Sequence, residues 1–161
     1  MLIFIFGLPG SGKNYVGNIF QEEFNFYFHD ADIDLTPQFK EFIINGEIAP
    51  EQTRDEYYNL LTDRIEKLQN KHERLVVSDV LHKEKHRMQL HTRFPKAIFI
   101  LLTYGPHIID FRLEKREHLI SKEYALRFQT LFEPPRIKHI VFLNDINGKT
   151  DIVKQIKQLL A

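Results

Sequence analysis

The chain opens on an apolar run, Leu2-Ile3-Phe4-Ile5-Phe6. It passes without a break into Gly7-Leu8-Pro9-Gly10-Ser11-Gly12-Lys13-Asn14 and then into a helical pattern. No other stretch constrains the fold as tightly. A short run that is apolar at every position suits a strand buried on both faces. Small residues directly after it, followed by a helix over about 13–22, set up a strand–turn–helix unit. Gly7, Gly12 and Lys13 fit the phosphate-binding template G-x-x-x-x-G-K-[ST]. Only its last position departs, because Asn14 stands where Ser or Thr is expected.

A polyphosphate needs fixed donors. Gly7, Gly10 and Gly12 have no Cβ and can take the dihedrals that turn backbone N–H groups inward as an anion nest. Gly7, Leu8, Pro9, Gly10, Ser11, Gly12, Lys13 and Asn14 therefore form the predicted cradle, with ATP the expected ligand. The helix that follows points its positive end at the same phosphates. Lys13 reaches the β and γ oxygens as a mobile point charge. The next residue of the template gives a hydroxyl to Mg2+. Asn14 brings an amide oxygen instead, a hard neutral ligand with a different reach.

Composition narrows the class. A chain of 161 residues suits one domain, 1–161, around one core. Lys plus Arg equals Asp plus Glu at 22 each, so no bulk field draws the chain to nucleic acid or a membrane surface. Cysteine is absent, which removes disulfides, thiolate metal sites and a cysteine nucleophile. The first apolar run is too short for a secretory leader, and no stretch approaches a bilayer span. The expectation is a soluble cytoplasmic protein, monomer or homodimer, acting on a small molecule.

Short apolar runs recur at 24–28, 74–78, 97–103 and 139–143, each without clear alternation. Helical patterns fill the gaps. One over 36–45 opens with Thr36 and Pro37 and stops at Gly46. A longer one over 50–70 carries Tyr57, Leu60, Leu61, Arg64, Ile65 and Leu68 near helical spacing. Others cover 83–92, 108–117, 122–131 and 149–160. Strands alternating with helices predict a three-layer α/β/α domain on a five-stranded parallel sheet.

Four further groups carry chemistry. In His29-Asp30-Ala31-Asp32-Ile33-Asp34, just past the second predicted strand, Asp30 and Asp32 can face one cavity. One suits Mg2+, the other the proton of an attacking hydroxyl. Asp34 or Thr36 can simply cap the next helix. Val76-Val77-Ser78-Asp79 is an apolar strand ending in a carboxylate, so Asp79 can order the metal shell, cap the helix near Lys83 or contact substrate. Arg112, Arg116, His118, Lys122 and Arg127 form a basic segment. Arg112 and Arg116 share a helix face, and such a segment closing over the nucleotide makes a short helical lid at about 112–127. Arg54 sits in the first turn of the long helix, where a cation is slightly disfavoured; it either meets a substrate anion or pairs with Glu51 or Asp55.

Taken together these residues resemble the gluconate kinases, with the related shikimate kinases, inside the nucleoside-monophosphate-kinase-like P-loop NTPase group. Gly7 to Lys13 resembles the family's phosphate loop. His29-Asp30-Ala31-Asp32 followed by Leu35-Thr36-Pro37 is similar to a gluconate kinase run, Asp-Gly-Asp followed by Leu-His-Pro. Glu51 to Arg54 resembles its acidic run ending in Arg. Arg112-Leu113-Glu114-Lys115-Arg116-Glu117-His118 resembles its lid, and Phe128-Gln129-Thr130-Leu131-Phe132-Glu133-Pro134 a later run. The resemblance implies ATP-dependent phosphorylation of a small polyhydroxy acid with Mg2+. It places Lys13 on phosphate, Asp30 and Asp32 on metal and substrate hydroxyl, Arg54 on substrate and Arg112 and Arg116 in the lid. The chain departs at Asn14, at Ala31 where the family has Gly, and at Ser78-Asp79-Val80-Leu81-His82-Lys83, where gluconate kinases carry Ser-Ala-Leu-Lys and shikimate kinases a Gly triplet. The first expectation is thus a sugar-acid kinase. The alternatives are a nucleotide-binding protein whose kinase activity is weak or lost through Asn14, and a shikimate or nucleoside/nucleotide kinase.

Overall fold

A computed structural model of the protein describes residues 1–105, 121–145 and 147–161. Five strands, β1 (Leu2–Phe6), β2 (Tyr27–Asp30), β3 (Leu75–Asp79), β4 (Ile98–Thr103) and β5 (Ile140–Leu143), form one sheet in the order β2-β3-β1-β4-β5. Every pairing is parallel. The helices are α1 (Lys13–Phe24), α2 (Pro37–Ile44), α3 (Glu51–Gln69), α4 (Glu84–Arg93), α5 (Lys122–Leu131) and α6 (Lys149–Leu160), with a 3-10 turn at Ala31–Asp34. No helix among the described residues is long and apolar enough to cross a membrane.

Side-chain alternation along β1 explains the layers. Phe4 and Phe6 point to one face and pack with Tyr57, Leu61 and Ile65 of α3 and Leu90 of α4. Ile3 and Ile5 point to the other and pack with Val16, Ile19 and Phe20 of α1 and Ile152 and Ile156 of α6. A strand apolar at every position is therefore satisfied on both sides, as are all five residues of β3. The edge strands differ: β2 leaves Tyr27 exposed, and β5 exposes Ile140, Val141 and Leu143. The long helix buries Tyr57, Leu61, Ile65 and Leu68, but Leu60 stays exposed and Arg64 reaches toward Asp34 instead of the core.

The second strand lies later than the apolar run at 24–28 suggests. α1 extends to Phe24, whose ring packs on Phe20. Asn25 then ends the helix in the left-handed region (φ 56°), its N–H donating to the Phe20 carbonyl. The chain can extend only from Tyr27, so Asp30 is the last residue of β2 and not a residue beyond it. The helix starts follow their caps. Thr36 Oγ1 accepts from the Phe39 N–H at 3.1 Å with Pro37 in the first turn, and Ser121 Oγ accepts from the Tyr124 N–H at 3.1 Å. Asp34 does not cap; its carboxylate meets the buried His29. The predicted helix over 108–117, with Arg112, Arg116 and His118, lies outside the described residues.

Gly17 sets the distance between α1 and the sheet. A Cβ there would lie 2.2 Å from the Phe28 ring of β2. Helix propensity alone favours any side chain over Gly in mid-helix. The packing predicts the opposite sign: Gly17→Val is expected to destabilise the fold by about 1–3 kcal/mol, read as a lower midpoint in urea unfolding followed by circular dichroism.

Candidate active site

Parallel register brings three strand ends together. Phe6 pairs with Asp79 and Ser78 with Asp30, so the loop after β1 lies beside the carboxylates that end β2 and β3. This is the carboxyl edge of the sheet, where open α/β folds place ligands.

The loop has the shape its glycines permit. Gly10 and Gly12 sit at φ +82° and +93°, in the region that favours glycine. Gly12 caps α1 with no side-chain hydrogen bond, and the first turn carries no acidic residue, so its N–H groups point at the loop interior. The Lys13 Nζ folds across the loop and donates to the Gly7 and Leu8 carbonyls, each at 3.1 Å. Asn144, fully buried after β5, donates from Nδ2 to the Ser11 carbonyl at 2.8 Å and braces the loop from behind. Nothing in the sequence beyond a polar residue after an apolar run marks Asn144.

Asn14 does more than replace a hydroxyl. Its Nδ2 donates to Asp30 Oδ2 at 2.5 Å, and its Oδ1 accepts from Ser78 Oγ at 2.9 Å. A carboxylate only accepts, so the amide orientation is determined by its partner. A Ser or Thr would make both contacts through one oxygen, whereas the amide uses two separate atoms. The other oxygen of Asp30, Oδ1, accepts from the Asp32 N–H at 3.0 Å and caps the 3-10 turn.

Asp32 and Asp79 have opposite surroundings. Asp32 keeps solvent-accessible surface but stands inside the cleft, where lost hydration pushes its carboxyl up to about 6. Asp30 and Asp79 push in the same direction, and Lys13 pulls back. Asp79 is buried and already partnered. It accepts from Tyr57 Oη at 3.0 Å, Tyr58 Oη at 2.6 Å and the Leu81 N–H at 2.9 Å. Burial raises its carboxyl against the pull of those donors and also drives both tyrosines well above their ordinary value. Asp79 does not cap the following helix, which starts from Lys83 without a side-chain cap.

The loop and carboxylates open into a cavity of about 210 Å³. α3 contributes Arg54, Tyr57 and Tyr58; the stretch after β3 adds Val80 and His82; α2 and α5 bring Phe39 and Phe128. Arg54 does not pair with Glu51 or Asp55 as one sequence reading has it. Lys85 takes both carboxylates, and Arg54 Nη1 donates to the Ala49 carbonyl at 2.6 Å. Arg127, read as part of the lid, donates to the Gly46 carbonyl and links α5 to the end of α2. Tyr57 reads as core in sequence and serves both core and site. Tyr58, His82, Tyr124 and Phe128 carry no motif of their own, and only the fold brings them to the cavity.

The wall after β3 is framed by Arg87, which is fully buried. Its Nε donates to the Leu81 carbonyl at 2.7 Å, Nη2 to the His82 carbonyl at 3.2 Å and Nη1 to Glu84 at 2.9 Å. Leu81 is held at φ +45°, unusual for a residue with a side chain.

No protein-family model matches this chain, and no curated protein matches its sequence. Solved structures do. It is similar to a sugar kinase from Janibacter sp. HTCC2649, with TM-score 0.84 and 17% identity over 99% of this chain and 93% of that one. It is similar to a gluconokinase from Sinorhizobium meliloti 1021, with TM-score 0.76 and 20% identity over 98% of this chain and 94% of the other. An APS kinase from Mycobacterium tuberculosis, solved with AMPPNP and APS, gives TM-score 0.70 and 14% identity over 99% and 97% of the two chains. The protein thus has the fold of the P-loop small-molecule kinases: a five-stranded parallel sheet between helical layers, with the phosphate loop after its first strand.

The buried carboxylate under the cavity makes one stability effect calculable. Tyr58→Phe removes the 2.6 Å donor to Asp79 while keeping the ring. It is expected to cost about 1.5–3 kcal/mol, measured by urea unfolding at pH 7.

Proposed function

We propose that the protein is a kinase that transfers the γ-phosphoryl group of ATP to a hydroxyl of a small anionic metabolite, with sugar acids and related hydroxy acids as the acceptor class. One observation carries this reading. The glycine cradle, with its open helix N-terminus and Lys13, faces the same cavity as Asp32 and Arg54. A donor site and an acceptor site thereby share one space, which phosphoryl transfer requires.

The roles follow from the chemistry of each group. The cradle amides and Lys13 bind the phosphates. The acceptor oxygen bonds to the γ-phosphorus as the bond to the β–γ bridging oxygen breaks and ADP leaves. The hydroxyl proton passes to the Asp32 carboxylate. Arg54 meets the acceptor's anionic group. Arg112 and Arg116 are proposed to close over the phosphates, with Arg116 countering charge on the transferred group.

The donor set partly suits Mg2+. Asp30, the Asn14 amide and Asp79 bring hard oxygens to the cradle edge, each already accepting from a protein donor, and Asp79 alone is buried among phenols. Among the described residues no cluster of three or more His, Asp or Glu converges. Asp30 and Asn14 would therefore hold a hydrated Mg2+ carried mainly by the phosphates, where it neutralises their charge, and Asp79 would hold the site floor.

The proposal is tested by ADP release in a coupled assay over a panel of hydroxy acids. Acceptor-dependent turnover is expected, and turnover that never exceeds background ATP hydrolysis would overturn it. Lys13→Ala is expected to lower kcat/KM by about 10²–10³. Asp32 is ionised above its raised value and protonated below it. The acid limb of kcat/KM therefore bends near pH 6, falling about tenfold per pH unit below it. Asp32→Asn is expected to lower turnover about 10²–10⁴-fold.

A second reading, a nucleotide-binding protein with weakened transfer, draws on Asn14. The two readings divide on Asn14→Ser. If Asn14 holds Asp30 in place for catalysis, the substitution lowers acceptor-dependent turnover. If the missing hydroxyl is a defect, turnover rises.

A further inference from the structure

Away from the phosphate end, the cavity offers carbon more than polar atoms. Leu35, Phe39 and Ile43 form one side, and Phe39 and Ile43 share a face of α2 one turn apart. Tyr124 and Phe128 stand one turn apart on α5 across the mouth, their ring centroids 4.9 Å apart. Val80 adds an aliphatic surface from the wall behind.

The polar groups that remain for a ligand are few. Asp79 is saturated, and the Tyr57 and Tyr58 protons are committed to it and to the Ala31 carbonyl. Two lining side chains have a buried nitrogen without a partner: Arg54 at Nε and His82 at Nε2. A buried unsatisfied donor costs about 1–3 kcal/mol until a ligand meets it. Arg54 calls for an anionic acceptor atom. His82 is 2% exposed; burial and neighbouring cations keep its imidazole neutral, so Nε2 gives one hydrogen bond and no charge.

We propose that the acceptor is a hydroxy acid with an apolar body, aromatic or branched aliphatic, and few hydroxyls, and not an open-chain polyol acid. The inference rests on the reading of this cavity as the acceptor site. An open-chain polyol would set several hydroxyls against Leu35, Phe39, Ile43 and Phe128, each losing its water without a replacement. Aromatic walls do carry sugar rings, but such rings need polar partners along their edge, and among the described residues only Lys40 at the exposed rim is available beyond the groups named. An apolar body instead buries its carbon on these walls. Its carboxylate reaches Arg54, one polar atom meets His82, and the reacting hydroxyl stands at Asp32.

Calorimetry separates acceptor binding from turnover. The full-length protein is loaded with AMPPNP and Mg2+ and titrated with D-gluconate, pantoate and 3-phenyllactate. The tighter-binding of the two apolar-bodied acids is expected to exceed gluconate by at least about tenfold in affinity, and Arg54→Gln to reduce that affinity by about tenfold or more. Gluconate binding equally or more tightly overturns the proposal, as does failure of both apolar-bodied acids to bind at millimolar concentration. Turnover is read separately. Tight binding of an apolar-bodied acid without ADP release defeats the kinase reading and leaves this one standing; efficient phosphorylation of gluconate alone does the reverse.

Discussion

Asn14 holds the carboxyl edge of the sheet together. One amide ties the first turn of α1 to the end of β2 through Asp30 and to the end of β3 through Ser78. The three elements arrive from distant parts of the chain, and strand pairing alone leaves their side chains free to rotate. The amide removes that freedom at the point where the phosphate loop meets the carboxylates. Asn144 donates to the Ser11 carbonyl from behind the loop. The cradle is thus braced on two sides by side-chain amides, and at Asn14 the donor and the acceptor are separate atoms of one planar group.

Below that edge the protein keeps several acidic groups apart in behaviour although they are close in space. Asp30 accepts from an amide and a backbone N–H. Asp79 sits among two phenols and a backbone N–H. Asp32 has none of these donors; lost hydration and then the other two carboxylates raise it. Environment gives one residue type three different states: an anchored carboxylate, a buried floor and a cleft carboxyl raised above its ordinary value. That division needs Tyr57 and Tyr58 on adjacent positions of α3, both of which also belong to the hydrophobic core.

How much of this is legible in the sequence depends on how local the signal is. The glycine turn between β1 and α1, the Thr36 cap and the ranges of α5 and α6 are short-range patterns, and they appear as read. The start of β2 does not, because Phe24 is apolar for a helical reason, its contact with Phe20, and Asn25 turns the chain afterwards. The partner of Asn14 is invisible in sequence, since Ser78 lies 64 positions away. Arg54 sits next to two acids in the chain, yet Lys85, 30 or more positions distant, takes both. Nothing local marks Phe39, Tyr124 and Phe128, and only the fold shows that they line a cavity.

Arg87 grips residues 81 and 82 by their carbonyl oxygens. The left-handed bend at Leu81 is therefore supported from the backbone. What Val80 and His82 display is decoupled from what keeps that bend in place. Such a wall is interchangeable: the two side chains it turns to the cavity can be rewritten for a different guest while the frame, and the cradle beside it, stay as they are.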